Sequence, residues 1–245
     1  MKRYSFLFIL LFIMTINESE AQKNKKDQLV KISTTLGDIV VLLYDATPQH
    51  KANFLKLVEE GTYNSTLFHR IIKDFMIQGG DPESKDPAKK NAWGTGGLGY
   101  TIEAEILPGY IHKKGVLAAA RQGDAVNPEK RSSSCQFYIV QGKPVKEAEL
   151  KMMENRLSQI TGQAFTYSEE EKKAYMEEGG SPWLDQQYTI FGEVIDGLAL
   201  VDTIAAVKTG PRDVPVEPIT MTMEVLELRK KKIEKLYDFQ YPEEE

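Results

Sequence analysis

From residue 28 to residue 225 the chain is a succession of short β-rich runs closed off by glycine or proline, and this rhythm restricts the fold more than any other feature. Residues 28–34 and 38–44, joined around Leu36 and Gly37, predict a hairpin. Further strands are predicted at 68–78, 100–105, 115–120, 136–141 and 188–193. In the last long strand Ile219, Met221, Met223 and Val225 alternate with polar residues. Two helices interrupt the series. Thr47 and Pro48 supply a cap and a first turn, Ala52, Phe54, Leu55, Leu57 and Val58 an apolar face, and Gly61 a stop. A second, short apolar helix is predicted at 198–207. Many strands and two framework helices imply a mainly β, antiparallel barrel capped by helices, because closure removes exposed sheet edges.

One stretch breaks the rhythm. Residues 143–180 are charged and helical, with Leu150, Met153, Leu157 and Ile160 at helical spacing before Gly162. Ser168 with Glu171 forms a capping box for a second helix, and Gly179 and Gly180 end it. This predicts an inserted helical hairpin whose short apolar stripe docks on its own domain. Its polar outer faces are expected to extend the binding surface without altering the pocket described below.

The first residues have the form of an export signal. Lys2 and Arg3 precede an apolar run at 6–14, and Ser19-Glu20-Ala21 fits a small-x-small cleavage site. That run falls short of the roughly 20 residues a membrane span needs. The expectation is a signal peptide over 1–21, a polar leader over 22–28, one domain over 29–228 containing the helices at 143–180, and a charged tail over 229–245. Without a cysteine after the apolar run, the mature chain is expected to be periplasmic or secreted, with no membrane span after cleavage. The net charge of −5 argues against nucleic acid as a partner. Cys135, the sole cysteine, is expected to be buried, and His50, His69 and His112 lack metal-ligand spacing, so no metal is expected. Residues 94–99 satisfy G-x-G-x-x-G, yet no βαβ unit surrounds them, which argues against a dinucleotide cofactor.

Phe68-His69-Arg70-Ile71-Ile72-Lys73-Asp74-Phe75-Met76-Ile77-Gln78-Gly79-Gly80-Asp81 closely resembles the signature of the cyclophilins, the cyclophilin-type peptidyl-prolyl cis/trans isomerases. Further blocks resemble that family in the same order. They are Gly94-Thr95-Gly96-Gly97, Gly115-Val116-Leu117-Ala118-Ala119-Ala120-Arg121, Ser134-Cys135-Gln136-Phe137-Tyr138-Ile139-Val140, Trp183-Leu184-Asp185 and Tyr188-Thr189-Ile190-Phe191-Gly192. The resemblance spans about residues 29–228 apart from the helical segment. It implies a closed eight-stranded antiparallel barrel with a helix at each end. It also implies Arg70, Phe75 and Gln78 as catalytic residues. Met76, Gly94, Thr95, Gly96, Ala120, Arg121, Gln136, Tyr138, Trp183, Leu184 and Tyr188 are implied to bind substrate.

The chemistry suits those residue types. An X–Pro amide rotates slowly because resonance gives its C–N bond double-bond character, with a barrier of about 18–20 kcal/mol. Twisting breaks that resonance and leaves a lone pair on the prolyl nitrogen. A cation aimed there binds the twisted state better than either planar one, and only such differential binding accelerates rotation. Arg70 offers that cation. The resemblance implies Gln78 beside it to bond the substrate backbone, and Phe75, Met76, Tyr138 and Leu184 as the wall for the proline ring. No cofactor is needed. The expected partners are proline-containing, unfolded or partly folded polypeptides, met by a monomer, and Trp183 adds cyclosporin-like ligands as a candidate class. The chain departs from the family at Ala119 (often methionine), Arg121 (often asparagine), Cys135 (often serine or threonine), Tyr138 (often phenylalanine) and Tyr188 (often histidine). The hydroxyl of Tyr138 is expected at the pocket rim. A binding module without turnover is the alternative, which the Arg70, Phe75 and Gln78 set disfavours because docking gains nothing from an unpaired cation.

Overall fold

A computed structural model describes residues 25–241, so the expected signal peptide at 1–21 and the leader up to residue 24 lie outside the described residues. The described residues divide into two units, Val30–Val225 and a second one that joins those up to Leu29 to those from Leu226 onward.

The larger unit is built on an antiparallel sheet that curls into a half-barrel. Its strands are β1 (Lys26–Thr34), β2 (Gly37–Leu43), β3 (Thr66–Leu67), β4 (Arg70–Ile72), β5 (Met76–Gly79), β7 (Val116–Ala119), β9 (Phe137–Val140), β10 (Ile190–Asp196) and β11 (Thr220–Arg229). The short strands β6 (Thr101–Ile102) and β8 (Ser132–Ser133) form a separate pair. The nine-stranded order is β3-β11-β1-β2-β10-β7-β9-β5-β4. The closed eight-stranded barrel expected from the sequence is therefore corrected. The two sheet ends, β3 and β4, are successive pieces of one run, which bonds β11 as far as Phe68 and turns to β5 from Arg70. Among the described residues no ladder joins the two ends.

Alternation along the strands divides the sheet residues between two apolar clusters. Ile71, Ile77, Ile139 and Leu117, cross-strand neighbours in register, belong to the main core. That core is completed by Phe54, Leu57 and Val58 of α1 (Pro48–Glu59) and by Val201 and Ile204 of α4 (Leu198–Ala205). The alternate residues, Met76, Tyr138, Val140, Val116, Ala118 and Ile190, form the second cluster. Cys135 is buried in the main core, and burial pushes its thiol up, which suits a structural role.

Between β9 and β10 lie α2 (Glu147–Thr161) and α3 (Glu169–Glu177), as the periodicity predicts. Gly162 closes α2 in a left-handed conformation, and Ser168 and Glu171 exchange both bonds of their capping box. Leu150, Leu157, Tyr167 and Tyr175 pack with Ile111 and Val145, so the pair docks on its own domain, while Ile160 is left exposed. Bridges from Gly180 to Lys113 and Lys143 stitch the segment's exit to its entry.

In the smaller unit the expected tail carries a helix. α5 (Lys230–Tyr237) buries Ile233, the Lys230 amide donates to the Lys25 carbonyl, and the Tyr241 hydroxyl meets Asp27. No helix among the described residues is long and apolar enough to cross a membrane.

The start of α1 departs from its sequence reading. Thr47 makes no cap bond, its hydroxyl reaching back toward the Tyr44 carbonyl instead. The Glu105 carboxylate takes that place from far along the chain, accepting the Gln49 amide at 3.1 Å, the His50 amide at 3.0 Å and the His50 Nδ1–H at 2.6 Å. A carboxylate at a helix N-terminus satisfies orphan amides and meets the positive end of the helix dipole. Burial alone would raise the Glu105 pKa, but the bonds from His50 and Gln49 outweigh it and hold the carboxyl below its ordinary 4.5. Burial also lowers the His50 pKa, keeping the imidazole neutral as a donor. A lowered carboxyl pKa contributes stability present above the unfolded value and lost as pH falls. Glu105→Gln should therefore cost about 1–3 kcal/mol at neutral pH. That gap to the parent should close as pH drops from about 5 toward 3, measured by urea unfolding across the range.

Candidate active site

The expected single strand at 68–78 is a hairpin, and this correction creates the site. The polar pair Lys73-Asp74 turns the chain, with Asp74 in a left-handed conformation and the Phe75 amide bonded to the Ile72 carbonyl. Gln141 braces the turn. Its side-chain oxygen accepts the Asp74 amide at 2.6 Å, and the Gln141 and Gly142 amides both donate to the Phe75 carbonyl at 2.9 Å. Pairing then sets Arg70 opposite Gln78, Gln78 opposite Tyr138, Tyr138 opposite Ala118 and Ala118 opposite Ile190. One row across five strands thus runs from a guanidinium to a purely apolar edge.

The polar end of this row is ordered by a chain of directional hydrogen bonds. The buried Asp81 carboxylate accepts the amides of Glu83 (2.8 Å), Gly94 and Gly96 (3.2 Å), hanging the glycine loop beneath it. The loop carbonyls of Gly94 and Gly96 then accept from Gln136 Nε2 at 3.2 and 2.7 Å. Carbonyls only accept, so Gln136 must present its oxygen to Gln78, whose Nε2 donates at 3.0 Å. The oxygen of Gln78 is left facing Arg70 Nη1 at 3.3 Å. Each amide has one allowed orientation, and the sequence of bonds ends on a group that only donates. Arg70 is not the unpaired cation expected from the sequence. Its Nε lies 3.5 Å from Asp213, but this pair is loose and its partners are 43% and 46% exposed, so it adds little stability. Nη2 carries no hydrogen bond among the described residues.

Beside the guanidinium lies the apolar cluster, with Phe75, Ala120 and Tyr188 packed on Met76, Tyr138 and Leu184. Trp183, 37% exposed, sets its ring 5.5 Å from that of Phe75. The Tyr138 hydroxyl is not at the rim as expected. It points into the protein and meets His112 Nε2 at 2.9 Å, and burial raises its pKa well above the ordinary range. His112 Nδ1 donates to Asp185 at 2.8 Å, and the other oxygen of Asp185 accepts the Tyr167 and Tyr175 hydroxyls, each at 2.6 Å.

The structure therefore gathers Arg70, Gln78, Gln136, Gly94 and Gly96 into one bonded chain, and Phe75, Met76, Ala120, Tyr138, Leu184, Trp183 and Tyr188 along one apolar face. Two candidates stand differently. Thr95 turns its hydroxyl to the Ala92 carbonyl at 2.6 Å. The Arg121 side chain, only 4% exposed, is pinned by the Gln187 and Gln122 carbonyls and Asp124, and lies 4.5 Å over the Tyr188 ring. His69 faces away from Arg70 beneath the loop, and burial lowers its pKa to about 4, so it stays neutral. Sequence reading missed Asp81, Asp185 and Asp213 as site-builders. The first two sit inside quoted blocks, where a buried aspartate needing partners was the available signal. Asp213 had none. Among the described residues no group of three or more His, Cys, Asp or Glu is arranged to hold a metal ion.

Comparison with known proteins places the chain in a family. Residues 29–225 match the family described as cyclophilin type peptidyl-prolyl cis-trans isomerase/CLD. A putative peptidyl-prolyl cis-trans isomerase of Staphylococcus saprophyticus is 37% identical over 199 residues, covering 79% of this chain and 89% of that protein. One of Staphylococcus aureus is 36% identical, covering 82% and 94%. The crystal structure of a Cryptosporidium parvum cyclophilin type isomerase aligns with a TM-score of 0.58 at 24% identity, over 83% of this chain and 98% of that one. A second structure of it, in the presence of the dipeptide Ala-Pro, aligns with a TM-score of 0.56 at 25% identity, over 81% and 97%.

The glycine loop offers a test of the bonded chain. A Cβ on Gly96 would lie 2.0 Å from Asp81 Oδ1, whereas one on Gly97 would meet only the Ser134 hydroxyl at 3.9 Å. Gly96→Ala should cost about 1–3 kcal/mol by expelling the loop from Asp81. Gly97→Ala should stay within about 0.5 kcal/mol of the parent in chemical denaturation.

Proposed function

Because the chain belongs to the cyclophilin-type peptidyl-prolyl cis-trans isomerase family, we propose that it accelerates rotation about X–Pro bonds with Arg70 as the electrostatic catalyst. The observation that carries this is the single cross-strand row setting the Arg70 guanidinium next to an apolar cluster. The prolyl ring packs on Phe75, Met76, Tyr138 and Leu184, while Nη2, without a bond among the described residues, is available to the prolyl nitrogen. Twisting the amide localises the nitrogen lone pair, and the Arg70 N–H bonds it in that state only. Dry walls strengthen this bond by lowering the local dielectric. Gln78 spends both ends of its amide inside the protein, so its first task is to hold Arg70 in register, and a bond to the substrate backbone would require it to exchange partners. The loose ion pair with Asp213 keeps the guanidinium in place at small cost when substrate arrives. Trp183, exposed at the mouth, is positioned to meet the residue flanking proline or a cyclosporin-like ligand.

The folding of exported proteins is the setting this activity serves best, since slow X–Pro steps limit refolding wherever chains fold after translocation. The export-type segment at 1–21 supports that setting. The mature chain should begin at Gln22 and appear in osmotic-shock or culture-supernatant fractions. Intact mass retaining Met1 in a detergent-requiring form would make the segment an anchor.

A protease-coupled assay on an Xaa-Pro-Phe tetrapeptide tests the chemistry. Arg70→Lys should lose about 100-fold in kcat/KM although the charge is kept, because lysine cannot hold the planar fork against Gln78 and the prolyl nitrogen together. Full activity in the lysine variant would remove Arg70 from this role.

A further inference from the structure

The Tyr138 position of the row is tied by hydrogen bonds to the helical segment between β9 and β10. Tyr138 stands in the middle of the apolar cluster, and its hydroxyl is the first link of a fully buried polar chain. His112 follows, stacked on the Tyr138 ring with centroids 6.1 Å apart and planes within 11°. Asp185 comes next, accepting both the ring Nδ1–H and the His112 amide, at 2.8 and 2.7 Å. It ends on two tyrosines of the helical segment, Tyr167 just before α3 and Tyr175 within it. Asp185, His112, Tyr167 and Tyr175 are almost wholly shielded from water. A buried carboxylate tolerates that environment only with its lone pairs filled, and here four donors fill them. Burial and the neighbouring Asp185 raise the pKa of both tyrosines, which keeps them protonated as donors.

We propose that the helical pair between β9 and β10 is a positioning device for the prolyl pocket, fixing the Tyr138 ring through Tyr167, Tyr175, Asp185 and His112. The proposal rests on the isomerase reading above. It replaces the expectation that these helices leave the pocket untouched: they leave Arg70 alone and set Tyr138. Buried bonds are directional, so each link restricts the rotation of the next. If Tyr167 and Tyr175 withdraw their hydroxyls, Asp185 is released to seek other donors, His112 loses its fixed plane, and the Tyr138 ring gains freedom to turn. A ring free to turn presents a poorer wall to proline, so the loss falls on substrate binding more than on the twisting step.

The test is a double-mutant cycle in the full chain, comparing Tyr167→Phe/Tyr175→Phe with the parent and repeating the comparison in a Tyr138→Phe background. Rates are read on a proline tetrapeptide well below each melting temperature. In the parent background the pair should raise KM about fivefold with kcat changed less than about twofold. In the Tyr138→Phe background, where the connecting hydroxyl is missing, the same pair should change KM by less than about 1.5-fold. Ring-carbon-labelled tyrosine NMR gives a readout independent of turnover. The Tyr138 resonance, assigned by its disappearance in Tyr138→Phe, should pass from slow to fast ring flipping when the helical hydroxyls are removed. Equal losses in both backgrounds, or an unmoved Tyr138 signal, would overturn the proposal and leave the helices a stabilising role only. A parent with no turnover would refute the isomerase reading, and the ring signal would then decide the coupling by itself. Should the paired variant fail to fold, Tyr167→Phe alone, which leaves the Tyr175 bond in place, is put through the same cycle.

Discussion

The buried carboxylate of Asp81 orders the polar end of the site. It accepts three backbone amides, and so fixes the loop whose carbonyls orient Gln136, which orients Gln78, which faces Arg70. The direction of every bond follows from its two ends. Amide nitrogens that only donate meet a carboxylate that only accepts, and a guanidinium that only donates closes the series. An amide side chain between such termini has no second orientation of equal energy. The arginine is thereby presented in a defined pose without a strong ion pair, which would have made it a poorer partner for a passing lone pair.

A second buried aspartate does similar work behind Tyr138. Asp185 gathers His112, Tyr167 and Tyr175, and through His112 it reaches the Tyr138 hydroxyl. Both devices rest on the same physics. An unpaired buried carboxylate costs several kcal/mol, so the surrounding chain is held to whatever geometry supplies donors. The register of the sheet keeps Arg70, Gln78 and Tyr138 in one row. A one-residue slip of β5 would exchange Gln78 and Met76 for Ile77 and turn the pocket face into core. Gln141, just past the end of β9, opposes that slip by bonding the hairpin turn.

Much of this was legible before any coordinates. Periodicity placed β1, β2, α1, α4 and both helices of the 143–180 segment to within a few residues, because each is decided by local pattern and local caps. The capping box of Ser168 and Glu171 and the glycine stop at Gly162 came out as read. The misreadings share a cause. The hairpin at 73–75 was hidden because its turn uses Lys73 and Asp74 rather than glycine, and the apolar residues on either side merge into one apparent strand. The cap of α1 was misassigned because Glu105, its actual partner, is more than fifty residues away. The Tyr138 hydroxyl was placed at the rim because nothing local showed that His112 and Asp185 wait behind it.

Sequence alone determined the family and the order of the main elements, since those depend on short-range pattern and on blocks of contiguous residues. Tertiary structure alone decided the orientation of the groups that matter for chemistry. Which way Gln78 and Gln136 turn, whether Arg70 stands free or beside Asp213, and where the tyrosine hydroxyl points are settled by partners brought together from distant parts of the chain. Tertiary structure also decided that the sheet ends do not pair, because that outcome depends on where β11 and β5 draw the two halves of one short run. A hydrogen bond is directional and short-ranged, so its partners must be in place before it can be read.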